Sequence, residues 1–256
     1  MPYSKKRKIK QIINYILIFL IPLVTIISIV ISYNYYLNKE KELQIKTIKK
    51  NEKTAKTKQK EKYVEPYVNE LPGARQTYNN QNIMGRIEIP NMNINNYVTR
   101  TTDNSYYLNY NLYNVYDQIG APFFDYRNTN LNTDKQINIY GHNTQNDKIL
   151  DKLPFTNLEQ YTNQDVFNTN RDIYLYIDER KVHYEIIAIK IITTDIEHMK
   201  VQFTDNKDFL EHTKKLLSNS LYTRDTNITK KDRLLVLQIC HYNPMGSYLL
   251  VIAKEV

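Results

Sequence analysis

An uncharged run from Gln11 to Asn38 constrains this chain more than any other feature. Its core, Ile12 to Ser32, is 21 residues of mostly Ile, Leu, Val and Phe. At 1.5 Å rise per residue that is roughly 30 Å, the thickness of a hydrocarbon layer. Lys5, Lys6, Arg7, Lys8 and Lys10 precede it, which predicts an N-terminus held in the cytoplasm. Tyr33, Tyr35 and Tyr36 follow, as in an interfacial aromatic belt. The run ends in Ile-Ser-Tyr-Asn-Tyr-Tyr without a small-residue pair, which argues against a cleaved signal peptide. The expectation is a basic cytoplasmic tail at 1–11 and an uncleaved transmembrane helix at 12–38, with Pro22 a tolerated kink.

The charge distribution supports that division. Residues 1–62 hold 15 Lys/Arg and 4 Asp/Glu, whereas 63–256 hold 20 and 23. The overall charge of +8 is therefore a property of the N-terminal quarter, and a nucleic-acid-binding domain is not expected. Residues 39–62 are rich in Lys, Glu, Gln and Thr, fitting a solvated stalk or a segment docked on anionic lipid. The composition turns aromatic from about Tyr63. The boundaries expected are a charged stalk and N-terminal helical region at 39–81 and a folded domain at 82–256.

Within that domain, strand character is visible in 85–90, 94–98, 120–124, 136–140, 173–177, 183–192, 233–240 and 248–253. Helices are predicted at Ile149–Leu158, broken by Pro154, and at Asn206–Tyr222 with Asp205 as N-cap. About eight short strands without regular β-α alternation predict a mostly β, closed barrel with inserted helices. Five glycines and neither phosphate-loop motif exclude the common nucleotide-binding loops. One cysteine excludes an intramolecular disulfide framework and any Cys-based zinc or iron–sulfur site within one chain.

That cysteine, Cys240, ends the apolar segment Leu234-Leu-Val-Leu-Gln-Ile-Cys. A lone Cys is often a small core hydrophobe. This one sits where a strand meets a polar loop, and the anchor places it outside the cell, where an odd thiol needs a purpose. A cysteine–histidine couple is an activated nucleophile, because imidazole exchanges the thiol proton. Of the five histidines, His241 points away from Cys240 if the chain is extended, His183 belongs to a charged strand, and His198 and His212 lie in polar, solvent-facing stretches. His142, after Gly141 at the end of a strand, is free to turn inward and is the candidate partner.

The motifs then resemble a known family. Gly85-Arg-Ile-Glu-Ile-Pro-Asn-Met-Asn-Ile, Asp103-Asn-Ser-Tyr-Tyr-Leu-Asn, Phe123-Phe-Asp-Tyr-Arg-Asn128 and Ile139-Tyr-Gly-His-Asn143 are similar to those of class B sortases. Lys148-Ile-Leu-Asp-Lys-Leu and the helix before the cysteine strand fall in the family's order, so the likeness spans roughly 85–253. It implies an eight-stranded barrel and an extracellular, membrane-anchored cysteine transpeptidase, with no cofactor or metal. On that resemblance Cys240 attacks the Thr carbonyl of an N-P-x-T-[N/G]-like sorting motif and His142 protonates the leaving amine. The partners implied are surface proteins or pilins with a sorting signal and a peptidoglycan-precursor or pilin amine. Two features depart from the pattern. T-L-x-T-C becomes Val236-Leu-Gln-Ile-Cys240, and Tyr248 stands where the family carries an arginine on the last strand. Arg233 is seven residues upstream of Cys240, and Arg127 belongs to the Asp-Tyr-Arg-Asn segment. Tyr248 is the expected third site residue. The competing expectation is a catalytically weakened sortase-fold surface module that binds sorting motifs, and a generic cysteine hydrolase is a third.

Overall fold

The computed structural model describes Lys39 and residues 68–145, 153, 155–193 and 199–256. The chain divides into two compact units, Met1–Glu65 and Pro66–Val256, and all but one of the described residues belong to the second. The expected span at 12–38 lies outside the described residues. Among those described, no helix is long and apolar enough to cross a membrane.

The second unit begins with helix α1, Leu71–Tyr78. Leu71, Ala74 and Tyr78 recur at helical spacing, are buried and pack on Ile83. Pro72 starts the helix, and Asn79 ends it in the left-handed region at φ 47°. The strands follow: β1 (Ile83–Ile89), β2 (Ile94–Thr99), β3 (Phe123–Phe124), β4 (Gln136–Tyr140), β5 (Asp172–Ile177), β6 (Arg180–Ile192), β7 (Tyr222–Thr223), β8 (Leu234–His241) and β9 (Ser247–Glu255). Helix α2 (Gln164–Thr169) precedes β5, and α3 (Asn206–Leu217) precedes β7.

The sheet order is β5-β1-β2-β3-β4-β8-β9-β6-β7, and β5 also pairs with β6. That last pairing closes eight strands into a barrel and leaves β7 as an edge on β6. The barrel closes as expected. β4 runs parallel to β8 and β2 parallel to β3, while the remaining pairs are antiparallel.

Alternation explains which side chains fill the barrel. Ile87, Phe124, Ile137, Ile139, Leu235, Leu237, Leu249 and Val251 meet in the interior, all fully or almost fully buried. Burying each such side chain is worth roughly 1.5–3 kcal/mol. The other face of β8 and β9 is apolar too: Leu234, Val236, Leu250 and Ile252 pack under Phe209 and Leu216 of α3. A strand covered on both faces reads as a continuous apolar run, which is why 234–237 lacks alternation.

Several expectations are corrected. The strand expected at 120–124 is only Phe123–Phe124; Gly120 holds φ +64°, and a Cβ there would meet the Tyr107 carbonyl oxygen at 2.3 Å. The helix expected at 206–222 is capped by Asp205, whose side chain accepts from the Asp208 N–H at 2.8 Å, but it stops at Leu217. Asn219, at φ 55°, turns the chain, so Leu221 is exposed and Tyr222–Thr223 join β6. His212 is buried rather than solvent-facing, because with Phe209, Thr213 and Leu216 it lies on the face of α3 turned to the barrel. Its Nε2 is 2.8 Å from Gln136 Oε1 of β4. The helix expected at 149–158 lies partly outside the described residues; the described part holds a 3-10 turn at Thr156–Thr162.

Candidate active site

The parallel pairing of β4 and β8 sets the site. Tyr140 stands beside Gln238, and Gly141 N–H donates to the Gln238 carbonyl at 3.1 Å, one residue past the end of β4. Two residues further along, Asn143 Nδ2 donates to the Cys240 carbonyl at 3.0 Å. His142 lies between these two attachments, so its backbone is level with the end of the cysteine strand. Gly141 is required by close approach: a Cβ there would sit 2.6 Å from the ring of buried Phe155.

His142 is half-buried, and its Nε2 lies 2.6 Å from the Leu108 carbonyl oxygen. A carbonyl can only accept, so Nε2 carries the proton and donates, and Nδ1 is the ring nitrogen left to exchange one. Leu108 ends a 3-10 turn, Tyr106–Leu108, built by Asp103. The Asp103 carboxylate accepts from Ser105 Oγ, Ser105 N–H and Tyr106 N–H, at 2.6–2.8 Å. The bond from the Ser105 hydroxyl, with the two backbone bonds behind it, holds this carboxyl below its usual range. The Asp-Asn-Ser-Tyr-Tyr-Leu segment thus presents a carbonyl to the histidine.

Cys240 is a free, half-buried thiol. Burial pushes its pKa up, so the resting sulfur keeps its proton at neutral pH. Across the β8–β9 ladder Cys240 is directly opposite Tyr248. Cross-strand partners share a face and hold their Cβ atoms about 4.5–5.5 Å apart. The Tyr248 ring is 37% exposed, and among the described residues its hydroxyl has no hydrogen-bond partner. Cys240, Tyr248 and the backbone of His142 thus gather at one end of the barrel.

The other candidates lie elsewhere. Arg127 forks onto Asp125, with Nε at 2.8 Å and Nη2 at 2.7 Å, and Nη2 also donates to the Met199 carbonyl. Asp125 is fully buried and accepts from Tyr140 Oη at 2.7 Å and Asn104 Nδ2 at 3.0 Å. Burial alone would raise the Asp125 pKa, but the bonds from Arg127 and Tyr140 outweigh it and hold the carboxyl low. The Asp-Tyr-Arg-Asn segment is therefore a clamp beneath the site. Arg233 lies at the far end of β8, bound to the Asp134 and Leu131 carbonyls and to Glu255. His183 pairs with Asp172 at 2.7 Å on a neighbouring strand. His241 is buried against Glu159, on the side of β8 opposite Cys240. His198 lies outside the described residues. Among the described residues no cluster of His, Cys, Asp or Glu could hold a metal ion.

Sequence reasoning missed three groups beside the site: the Leu108 carbonyl, Tyr242, whose hydroxyl donates to the Asn143 carbonyl at 2.9 Å, and Glu159. The first is backbone and leaves no side-chain signal. The other two are tied to Asn143, which the Tyr-Gly-His-Asn motif had already picked out.

No family model matches the chain. Sortase B of Listeria monocytogenes is 30% identical over 161 residues, and the chain spans 63% of that relative's length. Sortase B of Staphylococcus aureus is 22% identical over 249 residues, 96% of this chain and 98% of its own length. Among solved structures, Clostridium perfringens sortase B matches with TM-score 0.65 and 28% identity, over 72% of this chain and 98% of that one. A sortase B complexed with triglycine shares the fold at TM-score 0.69 and 21% identity, over 86% and 98%. These likenesses support a class B-like member of the sortase family.

Proposed function

We propose that the chain is a membrane-anchored cysteine transpeptidase acting on surface proteins or pilins that carry an N-P-x-T-like sorting signal. One observation carries this reading: Cys240 and His142 sit at adjacent ends of the parallel pair β4–β8, tied by the Asn143 bond to the Cys240 carbonyl. The thiol proton passes to His142 Nδ1 as sulfur attacks the Thr carbonyl, forming a C–S bond and a tetrahedral oxyanion. Collapse breaks the C–N bond, and the imidazolium gives its proton to the departing amine. A peptidoglycan-precursor or pilin amine then attacks the thioester, and its proton passes by way of His142 to the sulfur as the C–S bond breaks and Cys240 leaves as the thiol.

The oxyanion needs a donor. Tyr248 Oη, on the face of Cys240, is the side chain we assign to it, with one hydrogen bond in place of a charged arginine fork. The basic tail 1–11, the anchor 12–38 and the charged stalk and N-terminal helical region 39–81 would place this site outside the membrane.

The tyrosine itself favours a second reading, a sortase-fold surface module that binds sorting motifs without turning them over. The full chain incubated with an N-P-x-T peptide and triglycine separates the two. Release of the C-terminal fragment with formation of the ligated product is the expected result. Binding without release would establish the second reading, and neither would refute both.

A further inference from the structure

We infer that Glu159 is a positioning residue that clasps the chain neighbours of both reacting groups, an inference that rests on Cys240 and His142 being the reacting pair. Glu159 projects from the 3-10 turn Thr156–Thr162. Its Oε2 accepts from Asn143 Nδ2 at 3.1 Å, and the same Nδ2 donates to the Cys240 carbonyl at 3.0 Å. An amide nitrogen has two hydrogens, so both bonds form at once. The second carboxylate oxygen lies 2.6 Å from His241 Nδ1, an approach whose alignment gives contact rather than a hydrogen bond. Asn143 and His241 are 7% and 5% exposed, so neither finds water in place of the carboxylate.

These contacts form a ring. The residue after His142 and the residue after Cys240 are held by one carboxylate, while Tyr242 closes the far side through the Asn143 carbonyl. Glu159 touches neither the thiol nor the His142 ring. Its effect passes through the backbone, by fixing how far the end of β8 stands from the exit of β4. A displacement near 1 Å in such geometry can cost ~10²-fold in rate.

Glu159→Ala and Glu159→Gln in the full chain test this. The readouts are kcat and KM for sorting-peptide cleavage, the unfolding midpoint, and the rate of Cys240 alkylation by iodoacetamide at pH 7. Loss of the clasp should lower kcat by ~10- to 10²-fold with KM within about twofold. Gln keeps an oxygen for Asn143 and should recover part of that loss. Alkylation should slow, because the end of β8 is no longer fixed at the exit of β4 that carries His142. A surface carboxylate that merely stabilises loops would lower the midpoint and leave kcat intact, which would overturn the inference. Faster alkylation, the consequence of only removing a nearby negative charge, would overturn it equally. If Ala does not fold, the near-isosteric Gln decides. If the wild-type chain cleaves no peptide, the proposed function fails while alkylation still judges Glu159: slowing supports it, and an unchanged or faster rate refutes it.

Discussion

The two ends of β8 make opposite use of one strand. At its start Arg233 commits its guanidinium to the Asp134 carbonyl, the Leu131 carbonyl and Glu255, and Leu234 is fully buried under α3. At its end the thiol of Cys240 is half-exposed, and the hydroxyl opposite it, on Tyr248, has no partner among the described residues. The first end engages all three guanidinium nitrogens and serves stability. The second leaves a hydroxyl and a thiol uncommitted, and uncommitted groups are what a substrate can use. One apolar core lies between them.

Four substitutions would break or sharpen that contrast. The largest effect belongs to Cys240→Ala, which should reduce peptide cleavage by ~10⁴-fold or more while leaving the unfolding midpoint nearly unchanged. Loss of activity together with a collapsed midpoint would instead mark Cys240 as a core residue. Tyr248→Phe removes only the unpartnered hydroxyl and should lower kcat by ~10²-fold, about 2.7 kcal/mol, with no change in stability. Unchanged kcat would take Tyr248 out of the mechanism. At the opposite end, Arg233→Ala should cost about 1–3 kcal/mol in denaturant unfolding, because it strands two carbonyls and a carboxylate, yet leave kcat per folded molecule as it was. A kcat defect there would erase the distinction between the ends.

The smallest effect concerns acid. Asp125 is held below its ordinary pKa of 3.8 by Arg127 and Tyr140 against the opposing pull of burial. Its contribution is therefore fully present above that ordinary value and is lost as pH falls through the folded-state value. Stability plotted against pH should flatten below pH 4 in Asp125→Asn relative to the wild type. Identical acid limbs would remove this carboxylate from the clamp beneath Tyr140.

Much of the fold was legible because the strands carry strong local pattern. Gln136–Tyr140 falls where alternation puts it, and β8 and β9 begin and end within one or two residues of their apolar runs. Asp205 announces the start of α3. What escaped reading depends on distant partners. β7 is two residues long and exists only because Ile189 and Ala188 pair with it. His212 looks solvent-facing in a polar stretch, but Gln136, 76 residues away, gives it a buried acceptor. The site divides the same way. Cys240 and His142 stand out as side chains at strand ends, and the resemblance singles out Tyr248. The Leu108 carbonyl and the Glu159 clasp exist only once the 3-10 turns are folded.

The central claim is that Cys240 and His142 act as a couple at the joined ends of β4 and β8. Intact mass spectrometry of the full chain mixed with an N-P-x-T peptide tests it most directly. The expected result is a mass increase equal to the acyl fragment, located on Cys240, released by hydroxylamine, and absent in His142→Ala. No adduct on a folded chain that binds the peptide, or equal adduct formation in His142→Ala, would contradict it.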